Sequence, residues 1–336
     1  MPTNLNSPPL IRRGDKFALM AIRAHCADIP HTLKLADSVF ATTTAPIGFI
    51  GDWIKWLGTI RADEFERSHV FIEITVPSEK PHVADDENNR LLNSLWWVLV
   101  GLSLSARIAF DSPDILIGGE AGVDAKVHYI SNFESAVPRI GVDADPITES
   151  VLKSAWQIAQ YLEQWHKTGR AWRINAVIKT YMNARSLMDI PEQIHALCRC
   201  IEGFLLPDIG ATRKQFKSRT ELFIGPGKHD LIGQIYDVRS KVEHLNYEYL
   251  IAKAEREERL ELVRQNAVIE GLARHCLNHL LCTQRLWKHF RTDDALSTFW
   301  KLEEIDRRAL WGEPISIDKL IEGFEGRWIS DQALGL

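Results

Sequence analysis

The chain has 336 residues, 45% hydrophobic and 25% charged, which is typical of globular proteins with a substantial core. The net charge of −5 excludes a surface coated with positive charge for nucleic acids. The longest apolar stretch is interrupted by serines and Arg107, and the N-terminus lacks the apolar region of a secretion signal. Five cysteines in no disulfide or zinc spacing favour a reducing cytoplasm, so the sequence predicts a cytoplasmic protein outside the membrane.

The first 145 residues are predicted to form a mixed α/β module. Four short segments are rich in β-branched or aromatic residues and bounded by turn formers, which predicts strands at 16–25, 69–78, 106–113 and 125–131. Helices are predicted between them, at 50–60 and 87–104. The acidic run 85–89 is expected to cap the second helix, because carboxylates favour a helix N-terminus. The glycine-rich stretch 116–122 is predicted to be a hairpin turn.

From residue 146 onwards the chain is predicted to be helical. The polar segment 141–150 indicates a linker, with Thr148 as the N-cap of the next helix. Pro191 is expected in the first turn of another helix. Helices are predicted at 149–169, 170–189, 190–207, 212–225, around 236–249, and at 249–282 and 293–311. The predicted fold is therefore α+β, with a module at 1–145 followed by an all-α domain at 146–336.

One predicted helix carries an arginine and a histidine five positions apart, in the stretch YDVRSKVEH. At about 100° per residue, its apolar side chains fall within an arc of about 80° that is expected to be buried. These residues are Ile235, Val238, Val242, Leu245 and Tyr249. Arg239 and His244 lie off this arc, on a side that also carries Tyr236 and Tyr247. Aromatic residues on a polar side indicate contact with another helix, a second subunit or a ligand.

The same polar side also has a simpler interpretation. Arg239 can pair with Glu243 one turn further on, and Lys241 is then an ordinary exposed residue. Spacing alone does not separate these two interpretations, since an arginine followed by a histidine at this distance arises readily by chance.

A second match to the arginine–histidine spacing occurs at Arg274 and His279. It lies in a leucine-rich helix without Tyr or Asp before the arginine, so both residues are predicted to be structural. His275 and His279 share a helix face, but a zinc site needs four converging ligands, and the sequence offers no such set. Phosphate loops, nucleophile elbows and dinucleotide fingerprints are missing from the sequence. The sequence therefore predicts neither a metal nor a cofactor.

The stretch IYDVRSKVEH resembles the motif of the ApeA-like branch of the HEPN superfamily, in which a helix reads roughly Tyr-Asp-x-Arg-Ser-x-apolar-x-His. The order of the preceding elements is similar too, with a helix that contains Glu202 and then a basic helix. The resemblance covers roughly residues 170–290. The family commonly has glycine after the histidine, whereas this chain has Leu245. Because Leu245 falls on the apolar arc, the helix is expected to continue past His244.

The resemblance implies a helical bundle that dimerises through the motif helix, so that two arginine–histidine pairs share one cleft. Many such domains are metal-independent endoribonucleases of toxins and antiviral defence systems. Arg239 and His244 would be catalytic: imidazole moves protons near neutral pH, and guanidinium grips phosphate. The implied supporting residues are Tyr236, Ser240, Lys241 and Tyr247.

Two functions stay open at this point. The first is an RNA-cleaving homodimer whose N-terminal module senses a signal or binds a regulatory partner. The second is a non-catalytic HEPN protein that uses the same face for dimerisation, nucleotide binding or scaffolding. Convergence of the arginines and histidines on an open cleft would favour the enzyme. Their burial in interhelical salt bridges would favour the scaffold.

Overall fold

The chain divides into two units in its computed structural model, which describes residues 14–46, 58–119, 126–167, 169, 172–246 and 254–334. The first unit is drawn from 1–136 and 145–160, and the second from 137–144 and 161–336. A mixed α and β first unit thus precedes a largely helical second one. Within the described ranges, every helix is too short or too polar to cross a membrane.

The first unit is built on an antiparallel sheet of six strands. They are β1 (Asp15–Ile22), β2 (Thr32–Ala36), β3 (Val39–Thr42), β4 (Val70–Pro77), β5 (Asp114–Gly119) and β6 (Lys126–Asn132). Their order across the sheet is β2-β3-β4-β1-β5-β6. In the centre, Leu19 on β1 lies opposite Glu73 on β4 and Leu116 on β5. The buried, nearly continuous apolar run of β1 fits this central position.

Two helices accompany the sheet, α1 (Thr59–Glu66) and α2 (Asp86–Ser105). Phe65 of α1 packs with alternate apolar residues of the strands, among them Phe17 and Leu19. The side chain of Lys16 points to the face of the sheet opposite to that of Phe17 and Leu19. It is fully buried, with Nζ 2.6 Å from Asp85 Oδ1. The Asp85 side chain accepts a hydrogen bond from a backbone N–H in the first turn of α2. The predicted role of the acidic run as a helix cap is confirmed.

The strand predictions are correct at three of four segments. The segment 106–113 was predicted to be a strand, and this is wrong: only Phe110 pairs, in isolated bridges to Ala24 and Ala136. Its apolar residues are buried by packing, without the run of ladder hydrogen bonds that defines a strand. Strands β2, β3 and β5 were not predicted.

Two further predictions fall partly on residues that the structure leaves undescribed. The hairpin turn predicted at 116–122 is wrong for residues 116–119, which belong to β5 and pair antiparallel with β6; residues 120–125 lie outside the described ranges. The helix predicted at 50–60 lies mostly outside them too, and α1 begins at Thr59.

The helical region begins with α3 (Glu149–Lys167). It continues with α4 (Trp172–Ser186), α5 (Ile190–Leu205), α6 (Thr212–Ile224), α7 (His229–Glu243), α8 (Arg256–Cys282), α9 (Gln284–Phe290), α10 (Asp293–Lys301), α11 (Glu304–Trp311) and α12 (Ile317–Leu320). The Thr148 hydroxyl accepts a hydrogen bond from the N–H of Val151, and Pro191 lies in the first turn of α5, both as predicted. The single helix predicted at 293–311 is two, because Leu302 and Glu303 adopt extended backbone conformations.

Helix α5 is central to the second unit and contacts α4, α6, α7 and α8. Most of its length is apolar and buried, including Leu197, Ile201 and Phe204. This buried helix positions α7, which carries the arginine of the motif and ends directly before its histidine.

Candidate functional site

Helix α7 packs through its apolar face, as the sequence pattern predicts. Ile235, Val238 and Val242 are buried, and the Ile235 carbonyl lies 4.0 Å from Cys198 Sγ on α5. Tyr249, the last member of the predicted arc, lies outside the described residues. The neighbours of α7 are α5, α6 and α8.

Helix α7 ends at Glu243, and the prediction that it continues past His244 is wrong. Leu245 has φ +56°, in the left-handed region, and is 82% exposed, so it does not belong to the buried face. The N–H of Leu245 donates to the Val242 carbonyl at 2.9 Å, and that of Asn246 to the Lys241 carbonyl at 2.7 Å. This hydrogen-bond pair is the Schellman motif, in which the left-handed residue is usually glycine.

Arg239 points towards α5 and lies between two carboxylates. Its Nε is 3.2 Å from Glu202 Oε1, and its Nη1 is 3.4 Å from Glu243 Oε2. The Arg239 side chain is 18% exposed. Both distances exceed the 2.7–2.9 Å or so of a well-formed charge-assisted hydrogen bond. The guanidinium is therefore held mainly electrostatically, with one long hydrogen bond from Nη2 to Glu202 Oε2 at 3.5 Å.

A second histidine, which the sequence analysis did not single out, joins this cluster. His195 on α5 places Nε2 2.9 Å from Glu243 Oε2, the carboxylate that also faces Arg239. The pKa of Glu243 is lowered, first by the charge of Arg239 and then by the hydrogen bond from His195. A pattern in the sequence could have identified His195: it precedes Glu202 by seven residues, which places both on nearly the same face of one helix.

Tyr236 and Asp237 are used in packing between α6 and α7. Tyr236 is 8% exposed, and its ring centre lies 5.1 Å from that of Phe216. Burial raises the pKa of the Tyr236 hydroxyl. Asp237 accepts two hydrogen bonds from the Arg213 guanidinium, at 2.9 and 2.8 Å. Arg213 of the basic helix α6 is thus hydrogen-bonded to Asp237 of α7.

The remaining motif residues differ in their exposure. His244 and Lys241 are exposed, and Ser240 is partly buried. Tyr247 lies outside the described residues. Within the described ranges, the His244 imidazole makes neither a hydrogen bond nor an ion pair. His244 lies five positions after Arg239, about 140° around the helix axis at about 100° per residue, so one copy of α7 does not aim both side chains at one point.

Arg274 and His279, the second match to the arginine–histidine spacing, lie in different surroundings from Arg239 and His244. Arg274 Nε is 3.7 Å from Glu270 Oε1 on the same helix, and His279 Nε2 is 2.7 Å from the Trp311 carbonyl. Burial, followed by the neighbouring His279, lowers the pKa of His275 to about 4. In the described part of the chain, no group of three or more His, Cys, Asp or Glu side chains is arranged to hold a metal ion. These contacts are those expected of structural residues.

Comparison of the chain with protein-family models, curated proteins and solved structures finds no match. The chemistry of the site therefore has to be argued from its own residues. At one end of α7 the chain combines two imidazoles, a partly buried guanidinium and an exposed lysine. Such a set can move protons and bind a phosphate.

Proposed function

We propose that the protein is a cytoplasmic, metal-independent endoribonuclease of the toxin or phage-defence type. It acts as a homodimer, with His244 as the proton-transfer group and Arg239 as the phosphate-binding group. The observation that supports this most is the left-handed turn at Leu245. The chain departs from the HEPN motif in having leucine where glycine is common, yet its backbone there has the conformation that glycine favours.

The chemistry follows from the residue types. An imidazole exchanges protons near neutral pH, and guanidinium stabilises charge on a phosphate in the transition state. Ser240 and Lys241 flank this surface and support RNA binding, and Tyr236 orients Arg239, with the guanidinium 5.6 Å from its ring centre. Tyr247 belongs to the same proposed set. The N-terminal module would sense the trigger or bind a regulatory partner.

A non-catalytic role is the second candidate, and one observation favours it. Arg239 faces Glu202 and Glu243 of its own chain, and a guanidinium so placed serves as an interhelical contact. In that case the α7 face would serve for dimerisation, nucleotide binding or scaffolding only.

One experiment separates the two candidates. Total RNA is incubated in EDTA with wild-type protein, with His244→Ala, and with His279→Gln as the matched control. The enzyme predicts cleavage by wild type and by the control, with a loss for His244→Ala of about 10²–10⁴-fold, the usual acid–base contribution. Intact RNA in every sample favours the non-catalytic role.

A further inference from the structure

Cleavage of RNA by its own 2′-hydroxyl needs a base and an acid at the same moment. The base takes the 2′ proton, and the acid protonates the leaving 5′-oxygen. One imidazole can serve as only one of these, so a second group has to serve as the other. The structure brings a second imidazole to the same end of α7, since His195 is hydrogen-bonded to Glu243, the residue directly before His244.

The contacts of His195 suit a general base. Its Nε2 donates to Glu243 at 2.9 Å, whereas its Nδ1 is 3.8 Å from Glu192 Oε2, within ion-pair range but beyond hydrogen-bond distance. The bond to Glu243 fixes the tautomer and leaves the Nδ1 lone pair available. A carboxylate in this position also stabilises the imidazolium that forms on proton uptake. The His195 side chain is 17% exposed, so part of it is accessible to solvent.

Arg199 lies one turn after His195 on α5, on the same face. It is exposed, and in the described part of the chain it makes neither an ion pair nor a hydrogen bond. Its charge contributes to the lowered pKa of Glu243, as expected of a guanidinium near that carboxylate. Arg239 is already opposite two carboxylates, whereas the planar fork of the exposed Arg199 is suited to bind a phosphate.

We propose that His195 is a second catalytic imidazole of this enzyme, that Arg199 binds the scissile phosphate of single-stranded RNA, and that Glu243 positions His195. This inference rests on the proposed endoribonuclease function.

Nδ1 of His195 accepts the proton of the ribose 2′-hydroxyl while the 2′-oxygen forms a bond to phosphorus. The bond between phosphorus and the 5′-oxygen breaks, and protonated His244 gives that oxygen a proton. The products are a 2′,3′-cyclic phosphate and a 5′-hydroxyl. Each imidazole then exchanges one proton with water and returns to its starting state.

The test uses one RNA oligonucleotide and the full-length protein in EDTA. Cleavage rates are measured for wild type, His195→Ala, Arg199→Gln and Glu243→Gln. Binding of the same sequence with 2′-O-methyl groups, which cannot react, is measured by fluorescence anisotropy. His195→Ala is expected to lose about 10²–10⁴-fold in rate with unchanged binding, and added imidazole is expected to restore part of that rate. Arg199→Gln is expected to weaken binding, and Glu243→Gln to lower the rate.

Two control variants match these changes. His229 Nε2 lies 2.9 Å from Glu221 Oε1 at the other end of α7, the same kind of contact as that of His195. His229→Gln is expected to cleave at the wild-type rate. Arg285 is an exposed arginine on α9, and Arg285→Gln is expected to bind RNA as the wild type does.

The outcomes separate this inference from the function it rests on. A folded His195→Ala variant that cleaves at the wild-type rate overturns the inference and leaves the endoribonuclease standing. A loss of rate that imidazole does not restore assigns His195 a structural role and also overturns it. A wild-type protein that cleaves no RNA overturns the proposed function itself.

Discussion

Arg239 on α7 and Glu202 on α5 form an ion pair between the two helices, with 3.2 Å between Nε and Oε1 and less than a fifth of either side chain exposed. Replacing Arg239 with Gln leaves a partly buried carboxylate without its cation. We expect a loss of about 1–3 kcal/mol in the free energy of unfolding, the range for an unsatisfied buried group. Urea unfolding measures it.

The double variant Arg239→Gln/Glu202→Gln provides the control. Because it removes both charges, we expect it to be more stable than Arg239→Gln alone, with a coupling energy of about 0.5–3 kcal/mol. His244→Ala should unfold as the wild type does, since the imidazole is exposed. If the losses of unfolding free energy in Arg239→Gln and Glu202→Gln add up to the loss in the double variant, the ion pair contributes nothing to stability.

The strained backbone at Leu245 predicts a stabilising substitution. A non-glycine residue in the left-handed region costs about 1–2 kcal/mol, and glycine avoids this cost but loses more entropy on folding. Leu245→Gly should therefore raise the free energy of unfolding by about 0.5–1 kcal/mol, since an 82% exposed side chain loses little burial. Leu245→Ala keeps the Cβ and should show no gain. A glycine variant less stable than wild type would contradict the observed turn.

We expect a homodimer that includes the α7 surface. The physical reason is the divergence of Arg239 and His244 by about 140°, which requires a second copy to complete a composite site. Light scattering at micromolar concentration should give twice the chain mass of 38.3 kDa. Tyr236 is buried within its own chain, so its contribution to an interface is expected to be small. A mass of one chain at that concentration would contradict the dimer.

Glu73 on β4 predicts a dependence of stability on pH. It is fully buried, and in the described part of the chain its carboxylate has no hydrogen-bond partner. Burial raises the pKa of Glu73 from 4.5 to about 8. Between pH 4.5 and about pH 8, the Glu73 carboxyl keeps its proton in the folded chain and has lost it in the unfolded chain. The stability contributed by Glu73 therefore falls as pH rises through this window, by up to about 1.4 kcal/mol per pH unit.

Glu73→Gln is expected to remove that contribution. Melting temperatures at pH 5 and pH 8 should differ less for Glu73→Gln than for wild type, and the variant should be the more stable of the two at pH 8. If the melting temperature falls equally between pH 5 and pH 8 for wild type and Glu73→Gln, then Glu73 ionises in the folded state without a loss of stability.

The sequence predicted those parts of the fold that local chemistry determines. Asp85 and Thr148 cap their helices because short polar side chains satisfy free N–H groups, which is visible in a few neighbouring residues. The buried apolar face of α7 was predicted from the helical spacing of its apolar residues. The same period assigned Leu245 to the core, although the helix ends before it, because a helical wheel contains no information about where a helix stops.

The candidate site was only partly accessible to sequence reasoning. Arg239 and His244 were found as a local pattern, and Glu202 through the resemblance. His195 reaches Glu243 only because α5 and α7 pack together, a contact across 48 positions of the chain. The wheel also placed Arg239 off the apolar side, where contact with another helix and an ordinary polar surface both stayed open; in the structure Arg239 faces α5. The His195–Glu243 contact and the surroundings of Arg239 both depend on the packing of α5 against α7.

The central claim is that this chain cleaves RNA through imidazoles and a guanidinium, with the 2′-hydroxyl as nucleophile. The most direct test is analysis of the ends of RNA fragments produced by purified wild-type protein in EDTA. We predict 2′,3′-cyclic phosphate and 5′-hydroxyl ends, and no cleavage at a position where a 2′-deoxy nucleotide replaces the ribonucleotide 5′ to the scissile bond. Fragments with 5′-phosphate ends, or cleavage that stops in EDTA and returns with magnesium, would contradict the account.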